Sequence, residues 1–273
     1  MSDIVLSAGV RANLLQLQQT SDLITQTQTR LATGKRVNSA LDNAINFFTA
    51  QGLDNRASDL SNLLDSQSSA INTINAANNG ISAITKLVQS AQSLVSQAQQ
   101  TTDTATQATL STQFNSLLTQ IGQLASDSSF NGINLLGGDT LTVTLDETGK
   151  STVSVTGVDY TNAGGSALSI ANAANNWSTA ADITAASTDL TAALTTLRSE
   201  SQTLSSSLSV IQIRQDFTKA TINTLQQGSS DLTLADSNEE GANLLALQTR
   251  QQLSTTALSL AAQADQNVLR LFR

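Results

Sequence analysis

The sequence predicts a mainly α protein: a long antiparallel helical bundle or coiled coil, with paired amino- and carboxyl-terminal helices and a small β-hairpin inserted between bundle helices. Three observations predict it. Apolar residues recur in alternating steps of three and four along most of the chain, the spacing that lines one face of a helix. Proline is absent from all 273 residues, so nothing removes a backbone donor inside a long helix. Between Gly137 and about Ala180 the period changes to two, the alternation of a half-buried strand.

The elements follow in chain order. Val10, Leu14, Leu17, Ser21, Ile24, Gln28 and Leu31 form a heptad seam with two polar interruptions. Gly34 is placed to stop it as a left-handed cap. Lys35–Asp42 reads as a connector, with Asn38, Ser39 and Asp42 as candidate caps for the next helix. Ile71, Ile74, Asn78, Ile81, Thr85, Val88, Gln92 and Val95 carry that long helix, and Leu110, Phe114, Leu117, Ile121 and Leu124 carry a shorter one ending before the Asn131-Gly132 turn.

Leu141, Val143 and Leu145 alternate with threonines, Asp146–Lys150 turns the chain, and Val153 and Val155 alternate again. This is a hairpin. The stretch from Thr156 to Trp177 reads as loop with a short helical piece, and the helical period runs from Leu190 through Leu225 to a stop at Gly228.

The last helix begins at Glu239 and carries two interleaved rows. Leu244, Leu247, Leu258, Ala261, Val268 and Phe272 lie on one, and Leu253, Ala257, Leu260, Ala264 and Leu271 on the other. Two rows are wider than one partner helix covers, so this helix calls for partners on more than one side. Glu239 and Glu240 at its start and Arg270 and Arg273 at its end suit the helix dipole. Periodicity alone leaves open whether the terminal helices pair with each other or both lie on one globular core. The expected division is a terminal coiled-coil domain (1–40 with 232–273), a helical bundle (41–137 with 181–231), and a small hairpin and loop insertion (138–180) with no large outer domain.

Composition narrows the function. The chain contains no His and no Cys, which removes the commonest general base, the thiolate nucleophile and every usual zinc ligand except carboxylate. An enzyme is disfavoured, and no cofactor or metal is expected. Only 12% of residues are charged, against about 25% in ordinary domains; a neutral polar surface lets identical copies stack without like-charge repulsion. The net charge of −8 argues against nucleic acid, which selects a basic stripe. No apolar run reaches membrane-spanning length, and the amino end lacks the pattern of a cleaved secretory signal.

Specific segments add a resemblance. Arg30-Leu31-Ala32-Thr33-Gly34-Lys35-Arg36-Val37-Asn38-Ser39-Ala40, followed by Asp42-Asn43-Ala44, resembles the amino-terminal signature of bacterial flagellin. Phe130-Asn131-Gly132 with Leu135-Leu136 is similar to the turn closing that family's first helical region, and Gln266-Asn267-Val268-Leu269-Arg270-Leu271 to its carboxyl end. Asn238-Glu239-Glu240-Gly241-Ala242-Asn243-Leu244 resembles the short alphaproteobacterial type. The similarity covers roughly residues 1–137 and 190–273.

The resemblance implies a subunit that self-assembles into the flagellar filament used for swimming. Its paired terminal helices would line the tube, with Val10, Leu14, Leu17, Ile24, Leu31, Leu244, Leu247, Leu258, Leu260, Val268, Leu271 and Phe272 as polymerisation seams and Arg30, Gly34, Arg36 and Asn38 as a connector motif. It also implies export through the flagellar type III apparatus without a cleaved signal peptide, to an extracellular filament. Partners implied are further copies of the chain, other flagellins, an export chaperone, the export apparatus, and junction and cap proteins, with no nucleic acid and no membrane insertion. The alternative is the hook–filament junction protein of the same axial family; the Phe-Asn-Gly turn and the Asn-Val-Leu ending favour the filament.

One departure concerns Val88–Leu94, which aligns with the helix where flagellins sensed by the animal innate receptor carry arginine and glutamate; neither charge is present. Asp42, Glu239 and Glu240 are read as caps and dipole partners, and Gly34 and Gly228 as helix stops. Arg30, Arg36 and Arg250 are either inter-subunit ion-pair partners or solvated.

Overall fold

The computed structural model describes residues 8–163 and 167–271. Helices α1 (Ala8–Thr33), α2 (Ala44–Gln100) and α3 (Thr104–Asp127) precede strands β1 (Thr140–Thr144) and β2 (Thr152–Thr156); a short 3-10 turn (Ala174–Trp177) leads into α4 (Ala180–Thr233) and α5 (Ser237–Leu271). The architecture is mainly α with one hairpin, as predicted. Two compact units result, Arg56–Asn223 and Met1–Asn55 with Thr224–Arg273, and both boundaries fall inside helices α2 and α4.

The unit Arg56–Asn223 has a closed core. Ile74, Ile84, Val88 and Val95 of α2, Phe114, Leu118 and Ile121 of α3, and Leu190, Leu197, Leu204 and Ile211 of α4 are buried in one cluster. Leu117 and Leu124, expected at its centre, pack at the edge. Helix α3 begins on Asp103, whose carboxylate accepts from the N–H groups of Ala105 and Thr106, satisfying donors that have no partner within the helix.

The hairpin is antiparallel, with Leu141 opposite Val155 and Val143 opposite Val153. Its Leu141, Val143, Leu145 and Val155 join the same core. Arg56 forms an ion pair with Glu147 at the hairpin turn. Further on, Asn175, Asn176 and Trp177 all have positive φ, at 48°, 53° and 57°. Left-handed backbone costs about 1–2 kcal/mol per residue, less for Asn. Burial of the whole Trp177 ring against Phe114, with centroids 5.0 Å apart, offsets it.

In the unit Met1–Asn55 with Thr224–Arg273, α1 ends on Gly34 with φ +67°, the left-handed stop that the sequence predicts. The chain then crosses the start of the returning segment. Arg36 N and Val37 N donate to the Thr233 carbonyl at 2.7 and 3.2 Å, and Ala235 N donates to the Gly34 carbonyl at 3.0 Å. This crossing, not Gly228, ends α4. Gly228 lies within the helix, which runs on to Thr233, so it is not a stop; an added Cβ there would meet Leu53 Cδ1 at 3.4 Å, at the edge of ordinary contact.

The caps also differ from expectation. Asn43 Oδ1 accepts from Asn46 N at 3.0 Å and starts α2. Asp42 instead folds backward, its Oδ2 accepting from Asn38 N and Ser39 N, both at 3.0 Å. Those two donors hold its carboxyl below the ordinary carboxylate range, Asn38 most strongly. At α5 the cap is Asp236, which accepts from Asn238 N and Glu239 N at 2.8 and 3.3 Å.

Candidate assembly interface

Helices α1 and α5 lie against each other. On α5 the facing row is Leu244, Leu247, Gln251, Ser254, Leu258 and Ala261, all half-buried; this is the first of the two rows read from the sequence. On α1 Val10 and Ile24 are buried and Leu17 and Leu31 half-buried, as the heptad requires. The intervening positions are shifted by one residue. Asn13, Thr20 and Thr27 complete the covered face, whereas Leu14, Ser21 and Gln28 are exposed.

The shift has a chemical reading. Thr20 can sit in the seam because its hydroxyl donates to the Gln16 carbonyl at 2.8 Å, which removes the cost of burying an unpaired hydroxyl. Turning the helix this way leaves Leu14, Leu15 and Leu23 outward. Helix α5 does the same with Leu245, Leu253 and Leu260, which are 67%, 67% and 62% exposed. A shallow cleft on its outer side is lined by Ala242, Leu245, Ala246, Thr249, Arg250 and Leu253. Val268 and Leu271 fall in the last turns of α5, where side chains are not described, and Phe272 lies outside the described residues.

One contact was not legible in the pattern. Arg30 Nη1 meets Glu240 Oε1 at 3.1 Å, with Glu240 buried and Arg30 about three-quarters buried. Arg30 is therefore an intrachain partner that ties the end of α1 to the start of α5, and Glu240 is more than a dipole counter-charge. Their separation of 210 residues hid the pair; the weak signal was an acid in the first turn of one terminal helix and a base in the last turn of the other. Arg36 and Arg250 are exposed and make no ion pair among the described residues. Asn38 closes the connector, its Nδ2 donating to the Lys35 carbonyl at 2.8 Å.

No group of His, Cys, Asp and Glu among the described residues is arranged to hold a metal ion, and no described helix is long and apolar enough to cross a membrane. What the chain presents is surface. Fold and surface define a helical structural protein whose terminal helices bury one apolar row against each other and turn another outward.

Comparison with known proteins makes the class specific: the chain belongs to the bacterial flagellin family. Residues 8–140 match the bacterial flagellin N-terminal helical region and residues 187–272 the C-terminal helical region. Flagellin FljM of Caulobacter vibrioides is 31% identical over 275 residues, covering 100% of this chain and 99% of that protein. Flagellin FljK of the same organism is 32% identical over 282 residues with the same coverage. Flagellin A of Rhizobium meliloti is 46% identical over 65 residues, 24% of this chain and 16% of that protein. Membership makes this a structural protein and not an enzyme, in a family that builds the extracellular flagellar filament as a homopolymer.

Proposed function

We propose that this chain is a subunit of the flagellar filament itself rather than of the short ring that joins filament to hook. The observation that carries self-assembly, in filament or ring alike, is the pair of uncovered leucine rows on the terminal helices: Leu14, Leu15 and Leu23 on α1, and Leu245, Leu253 and Leu260 on α5. Leucine burial is worth about 1.5–3 kcal/mol per side chain, so rows left exposed in a single copy favour neighbours that cover them. Similarity along the whole length of the Caulobacter vibrioides flagellins and the Phe130-Asn131-Gly132 turn support the filament over the junction. On this reading the terminal segments, 1–40 with 232–273, are the assembling part.

The chain leaves the cell unfolded through the flagellar type III apparatus, with an export chaperone on the inner side and junction and cap proteins at the filament ends. A sequence without Pro and Cys suits this route, since refolding outside the cell then waits on neither prolyl isomerisation nor disulfide exchange.

Seeded polymerisation followed by electron microscopy tests the proposal. The full chain is expected to extend filament seeds into long filaments, and the same chain lacking Glu239–Arg273 to leave them unextended. Short rings, or a full chain that stays monomeric, would return the junction reading.

A further inference from the structure

Outside the terminal helix pair, exposed large apolar side chains gather in two places. Leu41, Ile45 and Phe48 are 98%, 79% and 60% exposed in one unit, and Val210, Ile213 and Phe217 are 43%, 65% and 64% exposed in the other. Among the described residues the remaining ones there are Phe130 and Leu234, each isolated. Scattered exposed apolar residues need no explanation, but grouped ones mark interaction sites.

The first patch is built by its backbone. Asp42 Oδ2 accepts from Asn38 N and Ser39 N, and Asp42 N donates to the Ser39 carbonyl at 3.1 Å. The closed turn lifts Leu41 clear of its own chain. Ile45 and Phe48 follow at helical spacing on the first turns of α2, and Phe47 braces the Phe48 ring edge-on at 5.5 Å. Gly52, next on that face, has nothing within 4 Å of where a Cβ would stand, so the approach is open. The second patch is a row on one face of α4, its members three and four residues apart.

Charge distinguishes the patches. Asp42, the chain neighbour of Leu41, is the acid of the first, its exposed carboxylate turned onto Asn38 N and Ser39 N. Beside the second lie Arg214, exposed and without an ion pair among the described residues, and Lys219, which shares Asp216 at 3.7 Å. Docking like on like would set Asp42 against Asp42 or Arg214 against Arg214.

We propose that the Leu41–Ile45–Phe48 knob of one copy docks on the Val210–Ile213–Phe217 row of the next, with Asp42 facing Arg214. The inference rests on the filament reading and adds a contact distinct from the terminal leucine rows. Because the two surfaces differ, the contact is heterologous: a docked pair still presents one unused knob and one unused row, so further copies add head to tail, and the array stays open where the rotation does not close it into a ring.

The absence of cysteine from the chain makes the test direct. Leu41→Cys and Ile213→Cys are made as separate single variants, copolymerised in equal parts on seeds, and treated with a short bis-maleimide cross-linker. A covalent dimer from the mixed filaments, and none from filaments of either variant alone, is the expected result. Filaments that form without the mixed dimer, or that cross-link equally from one variant alone, overturn the docking while leaving the filament reading intact. Failure of the unmodified chain to polymerise overturns the filament reading and, with it, this one. Should a single variant fail to assemble, Phe48→Cys with Phe217→Cys gives the same readout.

Discussion

The two units use the same sequence device to opposite ends. In Arg56–Asn223 the three-and-four periodicity of α2, α3 and α4 closes on itself, and Ile74, Ile84, Phe114, Ile121, Leu190 and Trp177 lose essentially all contact with solvent. In the terminal pair the same periodicity buries Val10 and Ile24 on α1, while among the described side chains of α5 Glu240 alone is buried. Three helices and a hairpin enclose side chains all along the bundle; two helices cover only the row along which they touch. Periodicity therefore states that a helix has an apolar face, and the number of partners decides whether that face becomes a core or a seam awaiting another molecule. Isolated helices gain most of their stability from packing, so the terminal pair depends on neighbours in a way the bundle does not.

The largest effect expected from this contrast is loss of assembly without loss of fold. Leu245, Leu253 and Leu260 replaced together by serine should abolish extension of filament seeds, as judged by sedimentation. The thermal transition of the monomer should stay in place, because exposed substitutions typically change stability by no more than about 0.5 kcal/mol. If the triple variant instead assembles at the unmodified critical concentration, the outward row is ordinary surface and the contrast fails.

The reciprocal substitution belongs in the bundle. Phe114→Ala removes a fully buried ring that packs on Trp177, and such changes cost about 3–5 kcal/mol. Trp177 is the single tryptophan of the chain, so its fluorescence during urea unfolding reports this unit directly. The midpoint should fall steeply, while amide hydrogen exchange in α1 and α5 stays unchanged. Faster exchange in the terminal helices would mean that the two units unfold as one.

Most of the fold was legible because helix and strand periods are local. The hairpin and the Gly34 stop followed from alternation and from one glycine. What escaped depended on residues far apart in sequence. The Arg30–Glu240 pair and the donation of Arg36 N and Val37 N to Thr233 each join segments about two hundred residues apart, and this crossing moved the end of α4 past Gly228. The α1 seam was misplaced by one residue at alternate positions for a different reason: an apolar pattern selects Leu14 over Asn13, whereas the protein turns the leucine outward. Of the candidate assembly residues, the covered α5 row and Leu253 and Leu260 of the outward one were readable from spacing; Leu15, Leu23 and Leu245 fall off the expected rows, and the Leu41 knob is held by a turn that no period reports.

The smallest expected effect tests the caps that make the bundle's helices end where they do. Asp103 has its carboxyl lowered below the ordinary value, first by the Thr106 hydroxyl and then by the Thr106 and Ala105 N–H groups. A depressed carboxyl contributes stability above its unfolded value, near about pH 4, and loses it as pH falls through the folded value. Asp103→Ala should therefore lower the urea midpoint at neutral pH by less than Phe114→Ala does, with the gap to the unmodified protein narrowing in acid as the native cap is protonated. Asp103→Asn, which caps comparably without a charge, should hold the neutral-pH midpoint and lose less of it on acidification. Equal acid sensitivity of the Asp103→Asn variant and the unmodified chain would place the acid response elsewhere, with Asp146 the next group to replace, since the Thr148 hydroxyl and the Ser151 N–H depress it in the same way.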